Sequence, residues 1–322
     1  MEWVIFTPFV SRINQSKTMN RRKFIQNSGL ALASSLYLSE SLFASLGPKH
    51  AWMGLQLYSV RDDMHKDPMA TLKKLSEMGY KQLEHANYSD GKFYGYAPLE
   101  FKKIMDDLGM RVISGHSVLS DKFWDSGTKQ FNDHYKKTVE DAAILCQKYL
   151  ISPWLDESLR KDYDSLVQFL EIFNKAGELC KKSGIQFGYH NHDFEFKNSL
   201  KDKLVYEIIL ENTDSKLVAQ QLDVGNMYGA GGRASELLKK YPGRFESIHI
   251  KDEIKSSGRG EMNDGYESTI LGKGILDMKV LLDEMKEKGG TKLWIIEQES
   301  YQDMPPIDCV KEDLKAMKSW GF

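Results

Sequence analysis

Short apolar runs alternate with longer amphipathic stretches along most of the chain. The apolar runs predict eight strands, near Met53–Val60, Gln82–Ala86, Arg111–Gly115, Tyr149–Pro153, Gln186–Tyr189, Val218–Val224, Ser247–Ile250 and Lys292–Ile296. The stretches between them have helical spacing, as in Met69–Met78, Phe131–Lys148, Tyr163–Lys182 and Met278–Lys288. Several end at a glycine just before the next strand: Gly79, Gly109 and Gly184. This repeat predicts an α/β fold, a single-domain (β/α)8 TIM barrel with parallel strands and crossover helices.

The first 44 residues follow a different pattern. Asn20 to Ile25 reads NRRKFI, a twin-arginine motif, and an apolar stretch from Gly29 to Leu38 follows it. Leu42-Phe43-Ala44 then has the character of a small-residue cleavage site. This order predicts a Tat-type export signal over residues 1–44 and a periplasmic location; the alternative is a basic turn before an ordinary helix. Met1 and Met19 are both candidate starts.

The apolar stretch of this segment is too short and too rich in serine to span a membrane. No cysteine lies near Ala44, so we expect no stable membrane anchor. Removing the segment leaves 322 − 44 = 278 residues, 45–322, which suits one barrel of about 250 residues.

Composition narrows the classes of partner. The formal net charge of −2 gives no electrostatic footprint for nucleic acid, so no nucleic-acid partner is expected. Three cysteines, far apart in the chain, argue against a disulfide framework. A small molecule is the expected partner, and a homo-oligomer is left open.

Polar residues close four successive predicted strands. They are His190-Asn191-His192, Asp223, His249 and Glu297-Gln298-Glu299. In a barrel of this type the C-terminal ends of different strands converge on one point. Imidazole and carboxylate groups on separate strands suit a divalent metal such as Mn²⁺, Mg²⁺, Co²⁺ or Zn²⁺. We predict the metal ligands His190, Asp223, His249 and Glu297, although each alone could be a structural histidine or a helix cap.

Further strand-end residues are candidates for the pocket. Because residues i and i+2 of a strand share a face, Lys251 should lie with His249, and Glu299 with Glu297. We predict four substrate-binding residues: Glu84, His116, Trp154 and Glu299. The alternative for them is packing at the barrel rim. The glycine-rich loop from Glu253 to Lys273 would either close over the substrate or be a disordered surface loop.

Three of these segments resemble a known family. Gln221–Gly225 (QLDVG), Ile248–Asp252 (IHIKD) and Ile296–Glu299 (IEQE) are similar to the xylose isomerase-like barrel superfamily of sugar phosphate isomerases and epimerases. Leu271–Gly274 (LGKG) resembles its Leu-Gly-x-Gly element, and the export signal points to an exported branch. The resemblance implies that Asp223, His249 and Glu297 are metal ligands and that Glu297 also acts as an acid or base.

The segment after strand five departs from the family pattern. Epimerases of the family have a glutamate there, whereas this chain has Tyr189-His190-Asn191-His192. The His-x-His segment looks closer to the inosose-dehydratase branch and to exported relatives that act on oxidised sugars. An epimerase with a base on each face is therefore disfavoured, and proton abstraction from one face, followed by isomerisation or elimination, fits better.

The predicted chemistry is proton abstraction next to a carbonyl. A divalent ion that chelates a carbonyl and a neighbouring hydroxyl stabilises the enediolate formed when the α-proton leaves. Glu297 or His192 would accept the proton, and Lys251 would stabilise the developing alkoxide. We predict a metal-dependent isomerase or epimerase acting on a sugar or keto-sugar.

Three alternatives stay open at this stage. The first is a lyase or dehydratase, either inosose-dehydratase-like or acting by β-elimination on a keto-glycoside, and it begins with the same proton abstraction. The second, cleavage of DNA at abasic sites, is disfavoured by the balanced charge and the export signal. The third is a non-catalytic sugar-binding barrel, which would not lose its function when metal is removed.

Overall fold

The strands form a closed barrel in which every strand is parallel to its neighbours and the last pairs with the first. The computed structural model describes residues 52–262 and 264–322, so the predicted signal segment 1–44 lies outside the described residues. The strands are β1 (Trp52–Gln56), β2 (Gln82–His85), β3 (Arg111–His116), β4 (Tyr149–Ser152), β5 (Gln186–His190), β6 (Val218–Asp223), β7 (Ser247–Ile250) and β8 (Leu293–Ile296). The predicted (β/α)8 barrel is confirmed.

A helix follows each strand on the outside of the barrel. These are α1 (Pro68–Met78), α2 (Pro98–Asp107), α3 (Asp133–Ile144), α4 (Tyr163–Lys182), α5 (Val205–Asn212), α6 (Ala234–Lys240), α7 (Met278–Glu284) and α8 (Pro306–Ser319). Shorter helices cover Arg61–Lys66, Phe194–Lys197 and Val224–Gly229. The glycines predicted to end helices, at 79, 109 and 184, all have positive φ. In the described part of the chain, no helix combines the length and apolarity needed to cross a bilayer.

Several predicted elements are shorter in the structure, and local hydrogen bonds explain two of them. β1 ends at Gln56, whose side chain accepts a hydrogen bond from Tyr58 N (3.2 Å) and turns the chain into the 3-10 helix Leu57–Val60. The helix predicted from Phe131 begins at Asp133, because the side chain of Asn132 caps it.

The inward face of the barrel can be traced from its apolar core to the carboxyl ends of the strands. Ile113, Tyr149, Ile151, Ala219, Leu293 and Ile295 form one buried cluster from β3, β4, β6 and β8. Since side chains two apart share a face, Ala219 leads along β6 to Asp223, and Ile295 leads to Glu297 just after β8. The polar strand ends therefore lie above this apolar plug, at the mouth of the barrel.

The predicted glycine-rich loop after β7 has its own structure. Asp252–Lys255 pairs antiparallel with Tyr266–Thr269, so these two parts of the segment form a two-stranded hairpin. Two residues between these strands, Glu261 and Met262, line the cavity at the barrel mouth. Part of the predicted closing loop thus borders the cavity at the barrel mouth.

Candidate active site

The four predicted metal ligands meet at the barrel mouth. His190 and Asp223 end β5 and β6, His249 lies in β7, and Glu297 follows β8. Asp223 is opposite His249 in the sheet, which brings these two side chains to the same level. One ligand atom from each of the four residues lies within 4.8 Å of the others, and all four are buried. We refer to His190, Asp223, His249 and Glu297 as the four-residue cluster.

The distances within the cluster fit a divalent cation. His249 Nδ1 lies 3.0 Å from Glu297 Oε2, and Asp223 Oδ2 lies 4.0 Å from His190 Nε2 and 3.9 Å from His249 Nδ1. With metal–ligand bonds of about 2.1 Å, neighbouring ligands of an octahedral ion are about 3.0 Å apart and opposite ones about 4.2 Å. The spacing and the mixture of nitrogen and oxygen donors match such an ion.

Asp223 combines two roles that the sequence left as alternatives. Its Oδ1 accepts the backbone N–H of Asn226 (2.8 Å) and so caps the helix Val224–Gly229. Its Oδ2 is buried and forms no hydrogen bond, although Lys251 Nζ lies 3.3 Å away. Burial raises the Asp223 pKa to about 7, against the opposing effect of Lys251. A buried oxygen without a hydrogen bond, facing two imidazoles, is what a metal ligand requires before the metal binds.

A buried carboxylate fixes the orientation of His249. Glu84 Oε1 lies 2.6 Å from His249 Nε2, so the opposite ring nitrogen, Nδ1, faces the cluster. Histidine ligands of metals commonly donate their second nitrogen to a carboxylate in this way. Burial lowers the pKa of His249, but Glu297 and Glu84 outweigh that effect and raise it to about 10.

Glu84 is the centre of the hydrogen-bond network beneath the cluster. It is fully buried, and it accepts hydrogen bonds from Gln56 Nε2 and Gln221 Nε2, both 2.8 Å away. His116 Nε2 is also 3.1 Å from it. Burial would raise the Glu84 pKa, but His116 and His249 hold it well below its usual range. These contacts give Glu84 an orienting position under the ligands, and its predicted contact with substrate stays a prediction.

Gln221 is a site residue that the sequence prediction did not include. Its Oε1 lies 3.2 Å from His190 Nδ1 and 2.8 Å from His116 Nε2, while its amide nitrogen bonds Glu84. Because a carbonyl oxygen only accepts, His190 Nδ1 is the donor and Nε2 is left for the cluster. Gln221 lies two residues before Asp223 on β6, so the two side chains share a face. This spacing was the signal in the sequence that could have identified Gln221.

Lys251 is buried among carboxylates. Its ammonium bonds Glu299 Oε1 and Asn226 Oδ1, and it lies 3.3 Å from both Asp223 Oδ2 and Glu297 Oε2. Burial would lower the Lys251 pKa, but these carboxylates, Asp223 first, raise it well above its usual value. The lysine is therefore charged, as the predicted role requires, and it holds the carboxylates in place.

A cavity of about 450 Å³, called here the main cavity, opens above the cluster. Its lining includes six of the predicted residues: His116, Trp154, His190, His192, Glu297 and Glu299. Trp154 is 42% exposed, and its indole meets the ring of His192 edge-on, with ring centres 5.2 Å apart. The predicted substrate-binding residues other than Glu84 thus border one space next to the four-residue cluster.

His192 lines the main cavity and is neutral. Its Nδ1 is buried without a hydrogen-bond partner, and burial lowers the pKa of the ring to about 4. Its backbone N–H donates to Glu195 Oε2 (2.9 Å), and the other oxygen of Glu195 accepts the hydroxyl of Tyr189. Glu195 is fully buried and was not predicted from the sequence. It fixes the backbone from which His192 enters the main cavity.

The fold and the cluster define a barrel protein with a candidate metal centre, and comparison with known proteins names the family. A family model described as xylose isomerase-like TIM barrel matches residues 72–320. The chain therefore belongs to the xylose isomerase-like TIM barrel family, which confirms the resemblance seen in the sequence.

Individual relatives have low sequence identity to this chain. An inosose dehydratase of Geobacillus thermodenitrificans is 24% identical over 190 residues, which cover 55% of this chain and 61% of that protein. The chain thus spans about three fifths of the length of this curated relative. A crystal structure of a sugar phosphate isomerase/epimerase from Parabacteroides distasonis is 28% identical, with a TM-score of 0.71 over 85% of this chain and 96% of that one.

A third neighbour shares the fold and contains a metal. It is a crystal structure of the IOLI protein with a binding zinc atom, which has a TM-score of 0.64 and 13% identity. It covers 84% of this chain and 97% of that one.

Proposed function

We propose that this protein is a divalent-metal-dependent enzyme that abstracts a proton next to a carbonyl group of a sugar or keto-sugar. The observation that carries this proposal is the four-residue cluster, buried at the barrel mouth and bordered by a cavity of sugar size. His190, Asp223, His249 and Glu297 would hold the metal. When bound, the metal would polarise the substrate carbonyl and stabilise the negative charge left by the departing proton.

The residues around the cluster have separate proposed roles. His192 is neutral and its side chain lines the main cavity, whereas Glu297 Oε2 is already engaged by His249 and Lys251. This difference favours His192 as the proton acceptor and Glu297 as a ligand. Lys251 keeps Asp223 and Glu297 close together despite their like charges. Trp154 offers an exposed aromatic face on which a sugar ring can stack.

The substrate that fits the main cavity carries no phosphate. None of the described residues that line this cavity is a lysine or an arginine, the side chains that usually bind phosphate. Its charged lining is instead acidic, with Glu261, Glu297 and Glu299. A neutral sugar or keto-sugar is therefore favoured over a sugar phosphate.

Elimination is the second candidate outcome of the same proton transfer. Curated relatives of this chain are inosose dehydratases, and His190 and His192 stand where a second glutamate base would be needed for epimerisation. With a base on one face only, the carbanion can be reprotonated to an isomer or can expel a neighbouring hydroxyl. We propose isomerisation and dehydration as alternatives of equal standing.

Incubation with keto-sugars in D2O tests both the proposal and its two outcomes. The metal-loaded protein should introduce deuterium at the α-carbon, with product mass separating isomerisation from loss of water. His192→Asn should reduce exchange by about 10²–10⁴-fold while leaving metal content unchanged, and Glu100→Gln, on the exposed start of α2, serves as the control. Turnover without deuterium incorporation or a primary isotope effect would exclude α-proton abstraction.

Export to the periplasm is proposed separately, on the twin-arginine motif alone. Replacing Arg21 and Arg22 together by lysine should leave the precursor in the cytoplasm. Fractionation followed by immunoblotting measures this, and normal processing of the double variant would contradict Tat export.

A further inference from the structure

The hairpin after β7 brings one more carboxylate to the main cavity. Glu261 lies between the two paired strands of this hairpin and is half-buried. Its side chain lines the main cavity together with Glu299. Unlike the residues of the four-residue cluster, Glu261 reaches the cavity from a connecting segment and not from the end of a barrel strand, and the proposed function gives it no role.

A single buried serine holds Glu261 in place. Ser268 is fully buried, and both its backbone N–H (2.9 Å) and its hydroxyl (2.6 Å) donate to Glu261 Oε1. Ser268 Oγ also accepts the backbone N–H groups of Glu299 (2.7 Å) and Ser300 (2.9 Å), which follow β8. A serine hydroxyl has one hydrogen to donate and two lone pairs, so these contacts use all of its hydrogen-bonding capacity. Ser268 therefore fixes Glu261 relative to the backbone of Glu299.

The backbone beside Glu261 is constrained as well. Its N–H donates to Tyr266 O (3.0 Å) across the hairpin. Gly260 has a φ of +75°, and a Cβ atom built there would lie 1.9 Å from Tyr266 O, so this position requires glycine. Contacts to both the backbone and the side chain thus determine where Glu261 lies.

One oxygen of Glu261 is left for a ligand. Oε1 is bound by Ser268, whereas Oε2 accepts no hydrogen bond from the described residues. The nearby ammonium of Lys251 donates to Glu299 and Asn226 instead. A carboxylate oxygen can only accept, and hydrogen bonds to a charged acceptor are among the stronger ones. The group that pairs with Oε2 must therefore be a donor, such as a substrate hydroxyl.

We propose that Glu261 determines substrate specificity by accepting a hydrogen bond from one particular hydroxyl of the substrate, and that Ser268 positions it for this contact. A sugar without that hydroxyl would leave the carboxylate without its donor, which lowers affinity. The segment after β7 would then select the substrate separately from the metal ligands. Because the substrate is taken to lie in the main cavity, this assignment rests on the function proposed above.

Deoxy sugars test whether Glu261 recognises one hydroxyl. Ligand-observed NMR titrations of the full, metal-loaded chain would compare D-glucose and D-fructose with their monodeoxy analogues, each of which lacks one hydroxyl. At least one analogue should bind about 10–100-fold more weakly than its parent sugar, as expected for a hydrogen bond to a charged group. Glu261→Ala should bind the parent about 10–100-fold more weakly and should no longer distinguish it from that analogue.

Two further variants separate recognition from support of the fold. Glu261→Gln can keep the hydrogen bonds from Ser268 through its one oxygen, but it presents an NH2 group in place of Oε2, so it should also lose most of the discrimination. Glu267→Ala is the control, because Glu267 precedes Ser268 on the same strand, faces the other way and does not line the main cavity. It should change neither affinity nor discrimination.

A double variant tests the positioning role of Ser268. Ser268→Ala should weaken binding of the parent sugar by about 3–10-fold, because Glu261 loses one of its two anchoring donors. This loss should disappear when Glu261 is already alanine. A serine that only supports the fold would give the same loss in both backgrounds, and that result would overturn the positioning role.

The outcomes distinguish this assignment from the proposed function. If every analogue keeps its disadvantage in Glu261→Ala and in Glu261→Gln, the specificity role of Glu261 is wrong and the proposed function still stands. If the discrimination depends on Glu261 but binding is unchanged after metal chelation, the role of Glu261 is supported and metal-dependent binding is contradicted. Absence of binding by every probe would contradict both.

Discussion

At the scale of single residues, the site depends on which ring nitrogen of each histidine faces the cluster. Glu84 accepts from His249 Nε2, and Gln221 Oε1 accepts from His190 Nδ1. These two acceptors turn His249 Nδ1 and His190 Nε2 toward Asp223 and Glu297. The two histidines of the four-residue cluster are thus oriented by residues outside the cluster, as is common for histidines that bind metals.

Replacing Glu84 by glutamine should weaken metal binding by about 10–100-fold, because His249 would lose its charged acceptor. Metal affinity can be measured by competition with a chromophoric chelator. Glu100→Gln, a matched change on the surface, should bind metal as the unmodified protein does. Unchanged affinity in Glu84→Gln would show that the buried carboxylate does not tune His249.

A second residue-scale prediction concerns Asp313 on α8. This side chain is fully buried, its Oδ1 accepts Leu271 N (2.9 Å), and its Oδ2 has no partner. Burial raises its pKa to about 8, whereas the unfolded chain should have a value of about 3.9. Between these values the unfolded state releases the proton and the folded state keeps it, so stability falls as pH rises.

Asp313→Asn removes this titration and keeps an acceptor for Leu271 N. The two proteins should be nearly equal in stability near pH 4, and the advantage of the variant should grow by about 1.4 kcal/mol per pH unit up to about pH 8, where it levels off. Urea unfolding of both metal-loaded proteins at each pH gives the difference, in which other titrating groups cancel. A difference that does not change with pH would contradict the assignment.

Sequence reasoning identified the residues of the four-residue cluster but not the hydrogen-bond network around them. His190, Asp223, His249 and Glu297 were predictable because they end strands, and strand ends converge in a barrel whatever the details of packing. Gln221 and Glu195 were not included, because their roles depend on which side chains face them across the barrel or after a turn. Glu84, the partner of Gln221, lies on a strand distant in sequence. The partners of Glu195, Tyr189 and His192, are close in sequence but meet it only because of the turn after β5.

At the scale of elements, the pairing of β2 with β3 places His116. Ile113 packs in the apolar plug of the barrel, so strict alternation along β3 would turn His116 away from the interior. The register instead shifts by one residue between Leu83 and Glu84, and His116 lines the main cavity. The order of polar and apolar residues along the strand does not reveal a bulge of this kind. The sequence therefore indicated His116 as a pocket residue only because it follows the predicted strand.

The same strand pair requires glycine at position 115. Gly115 pairs with His85, and a Cβ atom built on Gly115 would lie 1.8 Å from His85 Nε2. His85 is fully buried, so its ring cannot move aside freely. Gly115→Ala should therefore destabilise the protein by about 1–3 kcal/mol or more.

Urea unfolding would measure this loss, with Gly258→Ala as the control, because its added Cβ meets no atom closer than 4.0 Å. The double variant Gly115→Ala with His85→Ala should lose less than the sum of the single changes, since the clash is between these two side chains. Additive losses would show that the glycine is needed for another reason.

At the scale of the whole molecule, negative charge is concentrated at the barrel mouth. Glu84, Asp223, Glu297 and Glu299 are gathered around a single lysine, Lys251, and the imidazoles of the cluster. Burying like charges together is unfavourable unless a cation is supplied. A protein that is nearly neutral overall thus carries a local excess of negative charge, which a divalent cation would offset.

Removing metal should therefore lower the melting temperature of the full chain, and adding it back should restore it. At a metal concentration of about 100 times Kd, binding contributes about 2.7 kcal/mol, which corresponds to a rise in Tm of about 4–8 °C for a domain of this size. Differential scanning fluorimetry of the chelator-treated protein would be carried out with Mn²⁺, Mg²⁺, Co²⁺ and Zn²⁺ in turn. Asp223→Ala should abolish the rise because it removes a buried cluster oxygen that has no hydrogen bond, and Asp283→Ala, which changes an exposed aspartate on α7, should keep it. If no metal raises Tm, or if Asp223→Ala shows the same rise, the prediction of a metal centre would be wrong. Lys251 and protonation of the acids would then be sufficient to balance the negative charge of the cluster.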